Sequence, residues 1–180
     1  MRQAKRALAM SVEITTDERN AIEGFPLVAG EFCDLINDCG KRNRKQLVQE
    51  LAVHLARLCE VAARLPQVQP GTEDIDNTPE DLAVHTEEWT KLSGKLRQIF
   101  GPLDVYWEVF DPTQKDEPVS CSLSIDIAEI YLDLKDALKL QKSGAGLNDV
   151  YWQWRFDSRS HWSKHATGAL RTLFHILDLA

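Results

Sequence analysis

His161 and His165 stand four residues apart, so on a helix their imidazoles share one face. Two rings at that spacing can hold one cation, and each can take up or release a proton near neutral pH. A second set, Asp126, Glu129, Asp133 and Asp136, recurs at three- and four-residue intervals and draws an acidic stripe along another helix. On a wheel turning about 100° per residue, Leu123, Ile127, Ile130, Leu134 and Leu138 lie on one side of that stripe. Ile125 and Leu132 lie on the other. Carboxylates flanked by apolar residues are partly covered, and covered carboxylates require partners. His161, His165 and Thr172, with Arg155 and Arg171 further out, offer the complementary edge. The prediction is a helix–helix seam of Asp–His and Asp–Arg hydrogen bonds.

Spacing limits what this seam can catalyse. His161 and His175 are separated by about 21 Å of helix rise, and Asp126 and Asp133 by about 10 Å, so neither pair chelates a single ion. No HExxH run is present, and no Glu-x-x-His of the kind a di-iron bundle needs. There is no GxGxxG, phosphate-binding loop or nucleophile elbow. No catalytic residue, metal ligand or cofactor is assigned on these grounds. Cys121, near the predicted start of a helix, reads as a cap-region thiol.

The stretch "DVYWQWRFDSRSHWSKH" crowds aromatics onto the segment that precedes the histidines. On a helix Trp152 and Phe156 fall together and Trp154 falls on the opposite side. One wetted face cannot bury them all. Either the helix is central there, or some of these rings face a pocket or partner, where Trp, Tyr and Arg are enriched.

These residues need helices to position them, and the sequence supplies the start and stop signals. Thr15 with Glu18 and Asn43 with Gln46 are capping boxes. They predict helices from Thr15 to about Asn37, stopped by Gly40, and from Asn43 to about Pro66. Pro26 predicts a kink or a late start in the first. Leu47, Leu51, Leu55, Leu58 and Ala62 give the second one apolar face. After the loop "QVQPGTEDIDN", Thr78-Pro79 opens a third helix that "GP" closes after Phe100. "DVYWEVFDP" is β-like, but one extended run makes no sheet. A fourth helix is expected from about Ser122 to Gly144, and a fifth from about Asn148 to Leu177, bent or broken at "FDSRS". The reading is an all-α, single-domain antiparallel bundle of about five helices over residues 16–180, behind a flexible extension at 1–15.

The net charge of −7 disfavours general binding to nucleic acid, and the basic run "KRNRK" lacks interleaved aromatics. No apolar run reaches the roughly 20 residues that span a bilayer. Cys33, Cys39, Cys59 and Cys121 form no CxxC pair and read as free thiols, which places the chain in the cytoplasm.

Three stretches carry a resemblance: "YWEVFDP", "EPVSCSLSIDIAEIYLDLKDAL" and "WQWRFDSRSHWSKHATGALRTLFH". With their Ile-Tyr-x-Asp-Leu-Lys and His-Trp-x-x-His-x-x-x-Ala-Leu-Arg runs, they resemble an uncharacterised bacterial family, domain of unknown function 5063, over roughly Ile22 to His175. The resemblance implies a small all-helical domain and brings no reaction, cofactor or partner with it. Its signature residues are Asp126, Tyr131 and Asp133 on one helix and Trp162, His165 and Arg171 on the other. Joined by Trp152, Trp154 and His161, they are the expected binding residues. The expected function is a non-enzymatic cytoplasmic binding or adaptor protein with a protein partner, a basic one suiting the acidic surface. Two other readings stand beside it. One is a metal-assisted or small-ligand enzyme built on Asp126, Glu129, Asp133, His161 and His165. The other is a seam that only fixes helix register.

Overall fold

The computed structural model of the protein describes residues 14–71, 79–109 and 111–179, with backbone alone for 79–84. Most of the extension expected at 1–15 and part of the loop after Gln69 lie outside the described residues. The helices are α1 (Thr16–Asn37), α2 (Arg44–Ala63), α3 (Pro79–Phe100), α4 (Leu123–Lys142), α5 (Leu147–Asp157) and α6 (Ser163–Asp178). A π-turn, Ser158–Trp162, joins α5 to α6. The two helices therefore follow one another as the predicted fifth helix, interrupted at the "DSRS" that predicted a break.

Both capping boxes form: Thr15 Oγ1 accepts from Glu18 N and Asn43 Oδ1 from Gln46 N, and each reciprocal bond is present. Pro26 is accommodated inside α1 without delaying its start. Gly101, at φ +58°, ends α3 in the left-handed conformation that glycine takes without strain. The predicted apolar face of α2 is buried in full, from Leu47 to Ala62. α4 is the hub, touching α1, α3, α5, α6 and β2. Its Leu123, Ile127, Ile130 and Leu134 are completely inaccessible. Among the described residues no helix is long and apolar enough to cross a membrane. The four cysteines are free thiols.

One expectation is corrected. "DVYWEVFDP" does enter a sheet: β1 (Val105–Glu108) pairs antiparallel with β2 (Val119–Ser122), placing Tyr106 opposite Cys121 and Trp107 opposite Ser120. β2 reads Val-Ser-Cys-Ser, and its burial does not alternate, so it carries no strand signal of its own. Cys121 thus sits on a strand ahead of the helix, and burial pushes its thiol pKa up rather than down. Asp104, immediately before β1, fastens the hairpin to α4. Its carboxylate accepts from Ser124 N (2.8 Å), Ser124 Oγ (3.0 Å) and Ser122 Oγ (2.7 Å). Its carbonyl accepts from Leu123 N at 2.8 Å. The N-terminal amides of α4 are therefore capped by a residue twenty positions upstream.

Candidate functional site

The seam between α4 and the π-turn and α6 carries two Asp–His pairs. Asp126, 5% exposed, meets His165 Nδ1 through Oδ1 at 2.8 Å and accepts from the Tyr106 hydroxyl through Oδ2 at 2.7 Å. The buried carboxylate is thus satisfied on both oxygens, as a covered charge must be. Asp133 Oδ2 meets His161 Nδ1 at 2.7 Å, and this second pair is more open to solvent. The imidazoles of His161 and His165 lie 4.9 Å apart, edge to face at 74°.

The charges respond to this packing. The hydrogen bond to Asp126 raises the His165 pKa, with burial opposing it. Burial raises Asp133, while His161 pulls it back. Burial, then the hydrogen bond to Asp126, drives Tyr106 far up, so this hydroxyl stays a donor. Asp157, bonded by Gln153 Nε2 at 2.8 Å, is pushed up to about 6 by burial and by the negative field of Asp133. Gly168 lies directly under Tyr106 and Glu108. A Cβ there would stand 2.7 Å from the Tyr106 hydroxyl and would collide with the Glu108 carboxylate.

The arginines expected in the seam bond main-chain carbonyls instead: Arg155 reaches Leu65 O at 2.7 Å and Arg171 reaches Trp107 O at 3.1 Å. Each tethers a helix to a neighbouring loop or strand. Tyr131 does not join the seam either; it points the other way and donates to Asn37 Oδ1 at 2.9 Å.

The aromatics divide as the wheel predicts. Trp154 is 1% exposed, packs against Phe25 with centroids 4.8 Å apart and planes tilted by 33°, and gives its indole N–H to Ala137 O at 3.1 Å. Trp162 is equally buried. Both stand among the expected contact residues, although the helical wheel also sets Trp162 on the core face with Ala166, Ala169 and Leu173; both are core. Trp152 and Phe156 face outward, stacked at 4.9 Å with their planes 12° apart, and Phe156 is half exposed. With Arg155, Arg159 and the segment Gln67–Gln69 they line an open groove of about 460 Å³. Burial, then the positive charge of Arg159, holds the Arg155 pKa below its ordinary value. Two guanidinium groups therefore share the groove.

A family model described as domain of unknown function (DUF5063) matches residues 16–178. The chain belongs to this family. A solved structure similar to this DUF5063 chain is that of protein BF1032 from Bacteroides fragilis, with 22% identity and a TM-score of 0.68. The match covers 87% of this chain and 91% of that one, and at this identity it shows the shared fold alone. No curated protein matches the chain.

Of the expected residues in this DUF5063 domain, Asp126, Asp133, His161 and His165 come together, and Trp152 lines a separate groove. Tyr106, Asp157, Gly168 and Arg159 were not anticipated. Tyr106 follows from strand alternation, which turns Val105 and Trp107 outward and Tyr106 in. Arg159 lies in the π-turn, whose phase a regular helical wheel misplaces, whereas Asp157 closes α5 just before it and its burial comes from packing that no local pattern announces.

Proposed function

We propose that the protein is a non-enzymatic binding module whose contact surface is the groove at Trp152, Phe156, Arg155 and Arg159. Its occupant is a segment of a protein partner that joins an acidic side chain to an apolar one. The observation that carries this reading is the stacked Trp152–Phe156 pair, with Phe156 half exposed next to Arg159. A flat, already ordered aromatic surface gives contact area at small entropic cost. A guanidinium beside it fits a carboxylate in two-point fashion. The chain carries a net charge of −7, yet among the described residues no carboxylate lines this groove, Glu18 acting on Arg155 from outside the lining. The local field therefore favours an acidic segment, in place of the basic partner that net charge alone suggests. The reading also assigns the protein to the cytoplasm, supported by four cysteines held as free thiols.

Selection of a random-peptide display library on the wild-type protein tests it, with Phe156→Ala and Arg159→Glu variants as counter-targets. The expected outcome is enrichment of sequences pairing Asp or Glu with an aromatic or aliphatic residue, binding each variant about tenfold more weakly or worse. Failure to enrich any sequence, or peptides that bind wild type and variants equally, overturns it.

A further inference from the structure

We propose that His161 and His165 form a two-imidazole site for a borderline divalent cation, zinc above all, with water completing its coordination. Three features of the seam lead there, and none depends on the aromatic groove. The first is orientation. Each ring has its Nδ1 engaged by a carboxylate, His161 by Asp133 at 2.7 Å and His165 by Asp126 at 2.8 Å. In the neutral ring, Nδ1–H donates to the carboxylate and the lone pair is left on Nε2; the raised pKa of His165 means that a cation must displace a second proton there. A carboxylate behind the ring is also the usual support of a metal-ligating histidine, fixing the ring and strengthening it as a donor. Here both rings have that support.

The second is separation. Zinc lies about 2.0–2.1 Å from a ligating imidazole nitrogen, and the ring centre lies about 1.1 Å beyond it. Two rings on neighbouring tetrahedral positions then have centres about 5 Å apart. The observed separation is 4.9 Å.

The third is access. The His161 side chain is 47% exposed and that of His165 is 30% exposed, and no partner for either Nε2 is present among the described residues. The surroundings are negative: Asp126, Asp133 and Glu129 all stand on the facing strip of α4. The chemistry of the donors selects the cation. Two neutral imidazoles suit zinc, copper and nickel, and are poor ligands for magnesium or calcium. Among the described residues no group of three His, Cys, Asp or Glu side chains converges on one point. The ion therefore has two protein ligands and keeps open positions, where a structural zinc would be closed by four.

Titration of chelator-free full-length protein with zinc chloride, followed calorimetrically, tests the site. One equivalent of saturable uptake is expected. It should vanish in His161→Ala, whose exposed ring leaves folding intact, with circular dichroism as the check. Asp133→Asn should weaken it about 10- to 100-fold, the usual loss when the support of a ligating histidine is removed. Copper(II) added to wild-type protein should give an electron paramagnetic resonance spectrum with coupling to two imidazole nitrogens. Absence of saturable uptake overturns the proposal. So does uptake unchanged in His161→Ala, which would put the ion elsewhere, or a copper spectrum without two-nitrogen coupling. Zinc affinity unchanged in folded Asp133→Asn overturns the carboxylate-supported geometry on which the site is argued.

Discussion

Asp126–His165 and Asp133–His161 are the same pair of residue types, on the same two faces, about two helical turns apart on α4. They differ in what lies over them. The β-hairpin covers the first and lends it the Tyr106 hydroxyl, so its carboxylate is 5% exposed and fully bonded. Among the described residues the second has no such roof, and its histidine side chain is 47% exposed. The contrast shows that burial, more than the identity of the pair, decides what such a contact does. The closed carboxylate of Asp126 holds the structure, while the ring nitrogens that face away from both carboxylates stay open to a ligand, more so at His161 than at His165.

The largest break in this contrast comes from Asp126→Ala. It leaves the buried Tyr106 hydroxyl without its acceptor and removes the partner of His165, and should cost about 3–5 kcal/mol in urea unfolding. A loss under about 1 kcal/mol would mean that water satisfies the site. Gly168→Ala attacks the roof instead of the pair. The added methyl must push Tyr106 or Glu108 aside, with an expected loss of about 1–3 kcal/mol and a change in tyrosine fluorescence.

Asp157 sharpens the open end. Its folded pKa of about 6 lies above the ordinary carboxylate value, so the folded state favours its protonated form. Stability should therefore fall as pH rises from about 4 to about 6, and the whole penalty is present above that. Asp157→Asn should relieve it, raising stability by about 1–2 kcal/mol at pH 7.5 and by nothing at pH 4. Thermal melts at the two values decide the matter. The smallest effect belongs to His161→Ala. An exposed pair of this kind contributes about 0.2–1 kcal/mol, so metal-free stability should barely move.

How much of this was readable in the sequence depends on how far apart the cooperating residues lie. Thr15 with Glu18 and Asn43 with Gln46 act within one turn, so both helix starts could be read. The seam was legible because two periodic stripes, one acidic and one basic, lie on helices with apolar faces that fix their rotation. The hairpin was not, because β2 is a strand only through its pairing with β1, and Val-Ser-Cys-Ser carries no alternation. The cap on α4 was invisible for the same reason: Asp104 serves amides that begin nineteen positions later. Trp152 and Trp154 were correctly set on opposite faces, but which face was wet depended on the packing of Phe25 from α1 against Trp154. Nothing in the local pattern announces that contact.

The π-turn at Ser158–Trp162 has a consequence for how the last two helices are aimed. A wide turn takes up one residue more than an α-turn, which sets everything downstream back by about 100° around the axis relative to an unbroken α-helix. Upstream, α5 is anchored by Trp154 against Phe25; downstream, α6 is anchored by Ala166, Ala169 and Leu173. The wide turn works like an offset coupling between two shafts, letting the indole end and the imidazole end each keep its own bearing. Removing one residue from it would leave composition almost untouched and yet force a choice between the tryptophan in the core and the histidines over their aspartates.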